Sequence, residues 1–496
     1  MVLLEAAVHQ TLKDWRRQGS DLAWPHGLTL GRLVSRALRL RRSALIQTGC
    51  LPENYSASYL LPCLLSQETI HLVAPESRLQ GLLKTEIPTL LDWLERRGIE
   101  NSGGKNLRLL SPQEWLDEHP KGFEAENLPR PLTLIEQVES LEQWLQDFFT
   151  LSWRSADWEE LNALPPALAE ALGAYRVRLA KALFARPANA YGCYVLSAEE
   201  ESALWEHLAS LEAYFRHLPR LGQFWQGRRC YGENYLLWAA VNRELGQFSL
   251  QLAPVNLAPL AAPYWRSPLI LMGGILGADK EAAAFRRTLG LGELLCLQFA
   301  PQRLGEAWRL YLPERLPAPN TPEFQETLLK ELHRLLSLPK PQEATTVVLL
   351  DDAPLKTGLG SRLAAEFGSR VKVETSVPRG GALIASWDFW RDQQHRFPAP
   401  GLLIFATLPI PSLENPLVAS RVNAHKRRHQ DWFRDYLLPS ALQAIQRVVL
   451  PLGEETKLLA ILDSRVNSRS YGPQILALLE PYARLNDLDG AWLWEA

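Results

Sequence analysis

Long apolar runs, clustered cysteines and an excess of charge of either sign are all missing from this 496-residue sequence. No window approaches the run of about eighteen uninterrupted apolar residues that a membrane span needs. The N-terminal stretch MVLLEAAVHQTLKDWRR reaches its charges after a very short apolar run. Neither a membrane segment nor a signal peptide is expected, and the chain is assigned to the cytoplasm. Cys50, Cys63, Cys193, Cys230 and Cys296 are scattered, with no CxxC pair. This spacing points to reduced core thiols rather than to a disulfide framework. A formal charge of -2 with 22% charged residues excludes a globally basic nucleic-acid coat protein, so any nucleic-acid contact must be regional. HExxH, GxSxG and a Cys–His nucleophile arrangement are absent, and the ten histidines show no ligand spacing. No metal site and no unrelated hydrolase site is expected.

What is present is enough chain for more than one core, so two to four domains are expected. The 17 tryptophans read as core or interface anchors rather than as a base-stacking set. Residues 1–43 read as helices, with Leu30, Leu33, Val34, Ala37 and Leu38 in a stripe at helical spacing. SALIQTG and TIHLVAP read as buried strands alternating with helices, the pattern of a parallel α/β sheet. From 146 to 262 long amphipathic runs predict an inserted helical domain without strands. SPLILMGGIL returns to a buried strand, and TTVVLLDD opens a second α/β domain after the proline-rich YLPERLPAPNTPE. The resulting division is 1–145, 146–262, 263–318 and 319–496, where the first and third segments form one domain.

Four blocks carry a further signal: ALIASWDFWRDQQ, LLIFATLPIPSLENPLV, DWFRDYLLPSALQAIQR and LLAILDSRVNSRSYG, in that order. They resemble the second RecA-like domain of the DinG/XPD branch of superfamily 2 helicases, where such blocks read FWEGxD, LPFxxPxDPxV, xLPxAxxxxxQGxGRxIR and a DxR signature followed by YG. The resemblance implies two RecA-like parallel-sheet domains with an α-helical, arch-like insertion in the first. It also implies an ATP-dependent DNA helicase as the family activity. Many relatives hold an iron–sulfur cluster on four cysteines; Cys193 and Cys230 alone cannot supply four thiolates, so no cluster is expected.

A motor of this type needs a glycine-rich loop with a lysine and a hydroxyl for phosphate and Mg²⁺. TGCLPENYSASYLLP resembles the family's AGTGTGKSLAYLLP. The match keeps Gly49, puts Asn54 at the last glycine, Tyr55 at the lysine and Ser56 at the metal-binding hydroxyl. Pro52 removes a donor, Glu53 repels phosphate, and Tyr55 brings no positive charge. In TLIEQVESL, Glu136 takes the aspartate, Gln137 the catalytic glutamate and Glu139 the histidine of the family's DEAH element. Glutamine is no general base. Glu136 is read as an ordinary solvated carboxylate at a strand end rather than a metal ligand. Gly273 and Gly274 replace the coupling Ser-Ala pair. Gln394 stands where FWEGxD has its aspartate, Gln443 and Arg447 match QGxGRxIR, and Leu450 replaces its final arginine, the finger for transition-state charge. No catalytic residues and no cofactor are therefore expected, and ATP with Mg²⁺ binds only if this degenerate site still works.

By motif match, Phe389, Trp390, Asp463 and Arg465 are nucleic-acid candidates. The basic cluster Lys426, Arg427, Arg428 and Arg434 beside Trp432 and Phe433 joins them, since phosphate contact needs local Lys or Arg and an aromatic can stack on a base. A solvated helix face with a buried aromatic pair remains the equal alternative there. LKTGLGSRLAAEFG, with Lys356, Gly358, Gly360 and Ser361, has its lysine before the glycines and reads as a turn before a helix, not a phosphate loop. Asp351 and Asp352 read as a helix cap. The reading is a pseudo-helicase: helicase fold, single-stranded nucleic acid as partner, no efficient hydrolysis. A divergent active helicase and a protein-binding scaffold are the alternatives.

Overall fold

The computed structural model describes residues 3–17, 24–101, 104–118, 130–277, 279–300, 308–338, 344–452, 456–485 and 488. The first domain supplies strands β1 (Ala44–Gln47), β2 (Ile70–Val73), β3 (Leu107–Leu110) and β4 (Leu132–Ile135). The insertion follows with β5 (Leu151–Trp153), β6 (Cys193–Val195), β7 (Tyr235–Asn242) and β8 (Gln247–Pro254). The chain then returns through β9 (Leu269–Gly273) and β10 (Leu295–Gln298). The second domain holds β11 (Trp308–Tyr311), β12 (Thr346–Leu349), β13 (Val371–Val373), β14 (Ala382–Ala385), β15 (Leu402–Phe405), β16 (Leu458–Ile461) and β17 (Tyr482–Leu485).

Two sheets are wholly parallel, with orders β10-β1-β9-β4-β2-β3 and β13-β14-β12-β15-β16-β11-β17. The inner strands β1, β4, β9, β12, β14, β15 and β16 are buried along their whole length because helices cover both faces, whereas the edge strands β3, β10, β13 and β17 are partly exposed. Alternation decides which core each residue enters. Ala44 and Ile46 pack on one face of the first sheet and Leu45 on the other; Val348 and Leu350 oppose Val347 and Leu349 in the second. The N-terminal helices Leu4–Arg17 and Gly27–Leu40 bury Val8, Leu12, Leu30, Val34, Ala37 and Leu38 against the first domain. Trp24, Trp115, Trp153 and Trp390 are among the largest fully buried side chains, in keeping with an anchoring role. Among the described residues, no helix is long and apolar enough to cross a membrane.

Three features depart from the sequence expectations. The insertion has its helices, Pro166–Ala185, Ala198–Ala209 and Pro219–Tyr231, but also a four-stranded antiparallel sheet, β5-β8-β7-β6. Phe248, Leu250 and Leu252 face its core, where Trp153 stacks on Trp158 at 3.9 Å. Second, β11 pairs with β16 and β17, so residues 308–311 belong to the second sheet rather than to the 263–318 segment of the first domain. Third, Gly358, Gly360 and Ser361 lie inside the helix Ala353–Phe367, not in a turn before it. A Cβ on Gly360 would come within 2.5 Å of Val373 Cγ2, so glycine here lets the helix sit close on β13. Asp352 does cap that helix, accepting the Leu355 N–H at 2.7 Å, while Asp351 instead accepts the Trp387 N–H at 3.1 Å.

Candidate nucleotide cleft and nucleic-acid face

In an open α/β sheet the functional crevice lies at the carboxyl ends of the strands, and the loop after β1 lies there. Gly49 adopts φ 65°, and its N–H donates to the Gly274 carbonyl at 3.2 Å. Thr48 donates to the Gly273 carbonyl twice, from its N–H at 2.8 Å and from Oγ1 at 2.9 Å. Pro52–Asn54 then forms a 3₁₀ turn. Its hydrogen bonds run from Asn54 N–H to Leu51 O and from Tyr55 N–H to Pro52 O, both 3.1 Å. The Thr48, Gly49, Asn54 and Tyr55 N–H groups are thus engaged within the protein, and Pro52 has no N–H to offer a phosphate. Tyr55 is 0% exposed, with its ring 5.7 Å from that of Trp24 and 5.9 Å from that of Tyr59. Ser56 opens the helix Ser56–Leu65, half-buried behind that ring. Burial, reinforced by the charge of Glu136, pushes the Tyr55 phenol well above its ordinary range, and burial pushes Cys50 up to about 12. The residues present do not fit a nucleotide triphosphate with Mg²⁺.

Glu136 at the end of β4 is not a solvated carboxylate. It is 0% exposed, accepts from Tyr59 Oη at 2.8 Å, and is paired with Arg78 Nε at 3.2 Å. Arg78 is itself 6% exposed; its other end binds Glu86, with Nη2 donating to Oε2 at 2.9 Å, and Glu53 approaches Nε at 4.0 Å. Burial, countered by Arg78 and the Tyr59 hydrogen bond, pushes the Glu136 carboxyl up to about 7. Burial also opposes the charge on Arg78, but the Glu86 hydrogen bond and the Glu136 charge outweigh it and hold the guanidinium above its usual range. A buried carboxylate needs a partner of this kind, and the sequence reading missed Arg78 altogether. The available signal was an arginine two residues into the helix Glu76–Gly81, just after a buried strand.

The remaining candidates meet at the seam with the second domain. Gln137 sits in the left-handed region at φ 54°, which turns the chain so that Glu139 returns toward β9. Glu139 Oε2 accepts the Gly274 N–H at 3.3 Å. Arg447 reaches across from the helix Leu438–Val449 and donates through Nη2 to the Glu139 carbonyl; burial, against the Glu139 charge, lowers its pKa. Gln394 Nε2 donates to the Arg447 carbonyl at 3.4 Å, so it braces the arginine from within its own domain. Gln443 lies half-buried on the same helix, and Leu450 follows directly after it. Gln446, also missed by sequence, faces the Ile275 backbone, and its amide turned end for end matches both the N–H and the C=O there.

The nucleic-acid candidates separate. Trp390 is 2% exposed in the core of the second domain and cannot stack on a base; Phe389 beside it is half-buried, 6.2 Å from Phe397. Asp463 is 0% exposed, accepts the Leu408 N–H at 2.8 Å and pairs with Arg465 at 2.6 Å. The Leu408 bond ties the chain after β15 to the chain after β16, and the ion pair commits the Arg465 guanidinium. Lys426, Arg427, Arg428 and Arg434 are all exposed. Lys426 Nζ lies 5.4 Å from the Trp432 ring centroid, Arg434 lies 3.7 Å from Asp431, and Arg428 donates to Asn234 of the insertion at 2.6 Å. Trp432 and Phe433 are half-buried against Val418, Val422 and Leu437, so the solvated face and the basic patch are one and the same. Lys356 is committed to Glu374 at 2.5 Å. All five cysteines are free thiols, and Cys230 is exposed.

No protein-family model matches the sequence. A segment of 130 residues is 32% identical to the ATP-dependent DNA helicase YoaA of Escherichia coli (strain K12), covering 25% of this chain and 20% of that protein. The matched part thus spans about a fifth of that relative's length. Among solved structures, Xpd4 of S. tokodaii superposes with a TM-score of 0.58 at 13% identity, over 91% of this chain and 97% of that one. An apo XPD structure gives 0.57 at 12%, over 92% and 100%. A further XPD helicase structure gives 0.56 at 12%, over 97% and 99%. With its two all-parallel sheets and the insertion between β4 and β9, the chain has the fold of these XPD structures.

Proposed function

We propose that the protein is a cytoplasmic pseudo-helicase that holds single-stranded nucleic acid without hydrolysing ATP efficiently. The observation that carries the reading is the filled phosphate end of the cleft, where Tyr55 occupies the core and Arg78 occupies Glu136. Hydrolysis by this fold requires a cation on the phosphates and a base for the attacking water, and the chain offers a phenol and Gln137 at those positions. For the nucleic acid, support comes from the exposed Lys426, Arg427 and Arg434 and from the helicase named as a relative. Phosphate contact asks only for local positive charge, and the overall charge of -2 leaves that cluster as a regional feature.

The test is anisotropy of a labelled single-stranded DNA oligonucleotide over a salt series, with and without Mg-ATP. The expected result is binding that weakens with salt and is indifferent to Mg-ATP. Binding altered by Mg-ATP would show a working nucleotide site. No binding even at low salt would transfer the fold to a protein-binding scaffold.

A further inference from the structure

We infer that the two RecA-like domains are clamped shut without nucleotide, by contacts that run through Glu139, Gly274, Gln446, Arg447 and Leu450. The seam is tight at Gly274. A Cβ on Gly274 would lie 2.8 Å from Gln446 Nε2 and 2.9 Å from Leu450 Cδ1. Both are ends of flexible side chains that can turn aside for a methyl group, whereas the bulk of a leucine at 274 would have to displace Gln446 and Leu450 from the seam. Within the first domain, a Cβ on Gly273 would lie 2.4 Å from Glu139 Oε2 and 2.9 Å from Val138 Cγ1, so the loop that carries Glu139 packs closely on the end of β9.

Directed bonds hold the surfaces in register. Arg447 binds the Glu139 carbonyl, and the Gln446 amide lies against the Ile275 backbone, where turning it end for end matches both polar groups. At one edge Arg287 of the first domain pairs with Asp435 of the second at 3.0 Å. The insertion closes the other side: Arg428 binds Asn234, and Cys193 Sγ lies 4.0 Å from Asn415 Oδ1. Along the seam Glu139, Glu142 and Asp147 face Arg447, Arg421 and Arg391, opposite signs on opposite domains.

A ligand can shift a two-state equilibrium only by its differential affinity for the two states. Within the first domain the β1 loop is tied to Gly273 and Gly274, and Arg447 of the second domain binds Glu139, so the two walls meet directly where a nucleotide would have to bind both. Closure is thereby a property of the chain. The inference stands apart from the nucleic-acid reading, and its test uses no nucleic acid.

The test places cysteines at Arg287 and Asp435 in the full chain, with Cys230→Ser and Cys296→Ser, and follows intramolecular cross-linking by a short bismaleimide. The expected result is the same rate with and without Mg-ATP, and a rate lowered roughly tenfold when Gly274→Leu is added. Gln446→Ala with Arg447→Ala, which removes only seam contacts, should slow it in the same direction and covers the case in which Gly274→Leu fails to fold. Cross-linking that requires Mg-ATP, or that neither set of variants slows, overturns the clamp.

Discussion

At Glu136 two demands compete: burial disfavours the charge, and Arg78 with Tyr59 supports it. The carboxyl ends at about 7 against an ordinary 4.5. Since the folded value is the raised one, the fold holds this proton more tightly than the unfolded chain does. Its contribution is full below about pH 4.5 and is lost as pH rises through about 7. A rise of that size is worth on the order of 3 kcal/mol. Wild-type stability relative to Glu136→Gln should therefore fall between pH 5 and pH 8 in urea unfolding; an equal gap at both pH values would contradict the assignment. Arg78→Met leaves Glu136 and Glu86 without their common partner, at a cost of about 3 kcal/mol near neutral pH. Adding Glu136→Gln should recover part of that loss, because the two side chains are directly coupled. A strictly additive pair of losses, read from denaturant midpoints, would mean that the ion pair does not carry the effect. The pairing was invisible in sequence for a simple reason. The motif match identified what was lacking at Tyr55 and Gln137, but it said nothing about which cation moves in once phosphate is not the partner.

At the level of elements, the parallel strands were legible because an unbroken apolar run such as SALIQ or TTVVLL has few other uses. The insertion sheet was not read, although its hairpin carries the usual signs. Phe248, Leu250 and Leu252 alternate after a turn in which Asn242 Oδ1 accepts the Leu245 N–H at 3.0 Å and Gly246 takes φ 61°. The long helical runs before YLLWAAVN outweighed a signal of period two. Trp390 and Asp463 illustrate the reverse error, since a match in motif position says nothing of burial. The Tyr471-Gly472 pair was matched as a signature, and the packing supplies its reason. A Cβ on Gly472 would fall 1.9 Å from the Val466 carbonyl oxygen, where the helices Arg465–Ser468 and Gly472–Ala477 meet. Backbone cannot step aside as a side chain can. Gly472→Ala should destabilise the second domain by about 1–3 kcal/mol, visible as a lower thermal midpoint; an unchanged midpoint would show that the two short helices shift freely.

Across the whole molecule the charge distribution is uneven despite its near-neutral sum. Replacing Lys426, Arg427 and Arg434 by glutamate should weaken single-stranded DNA binding and lower the slope of log K against log salt by about one for each phosphate these side chains neutralise. An unchanged slope would move the binding face elsewhere. The second domain also begins earlier than its linker suggests, because Trp308–Tyr311 lies between β16 and β17. A fragment of residues 319–496 should therefore lack cooperative unfolding, whereas one of 299–496 should retain it; calorimetry of the two distinguishes the cases.

That same strand imposes an order on synthesis. Strand β11 leaves the ribosome before every other strand of its sheet, while its two neighbours, β16 and β17, leave after all the rest. Until then Leu310 and Tyr311 have no strand on either side. The strands β12 to β15 can associate early, but the sheet acquires its far edge only once Tyr482–Leu485 has emerged. Pairings so distant along the chain form late and slowly, and a nascent second domain stays open to chaperones until its last strand is made.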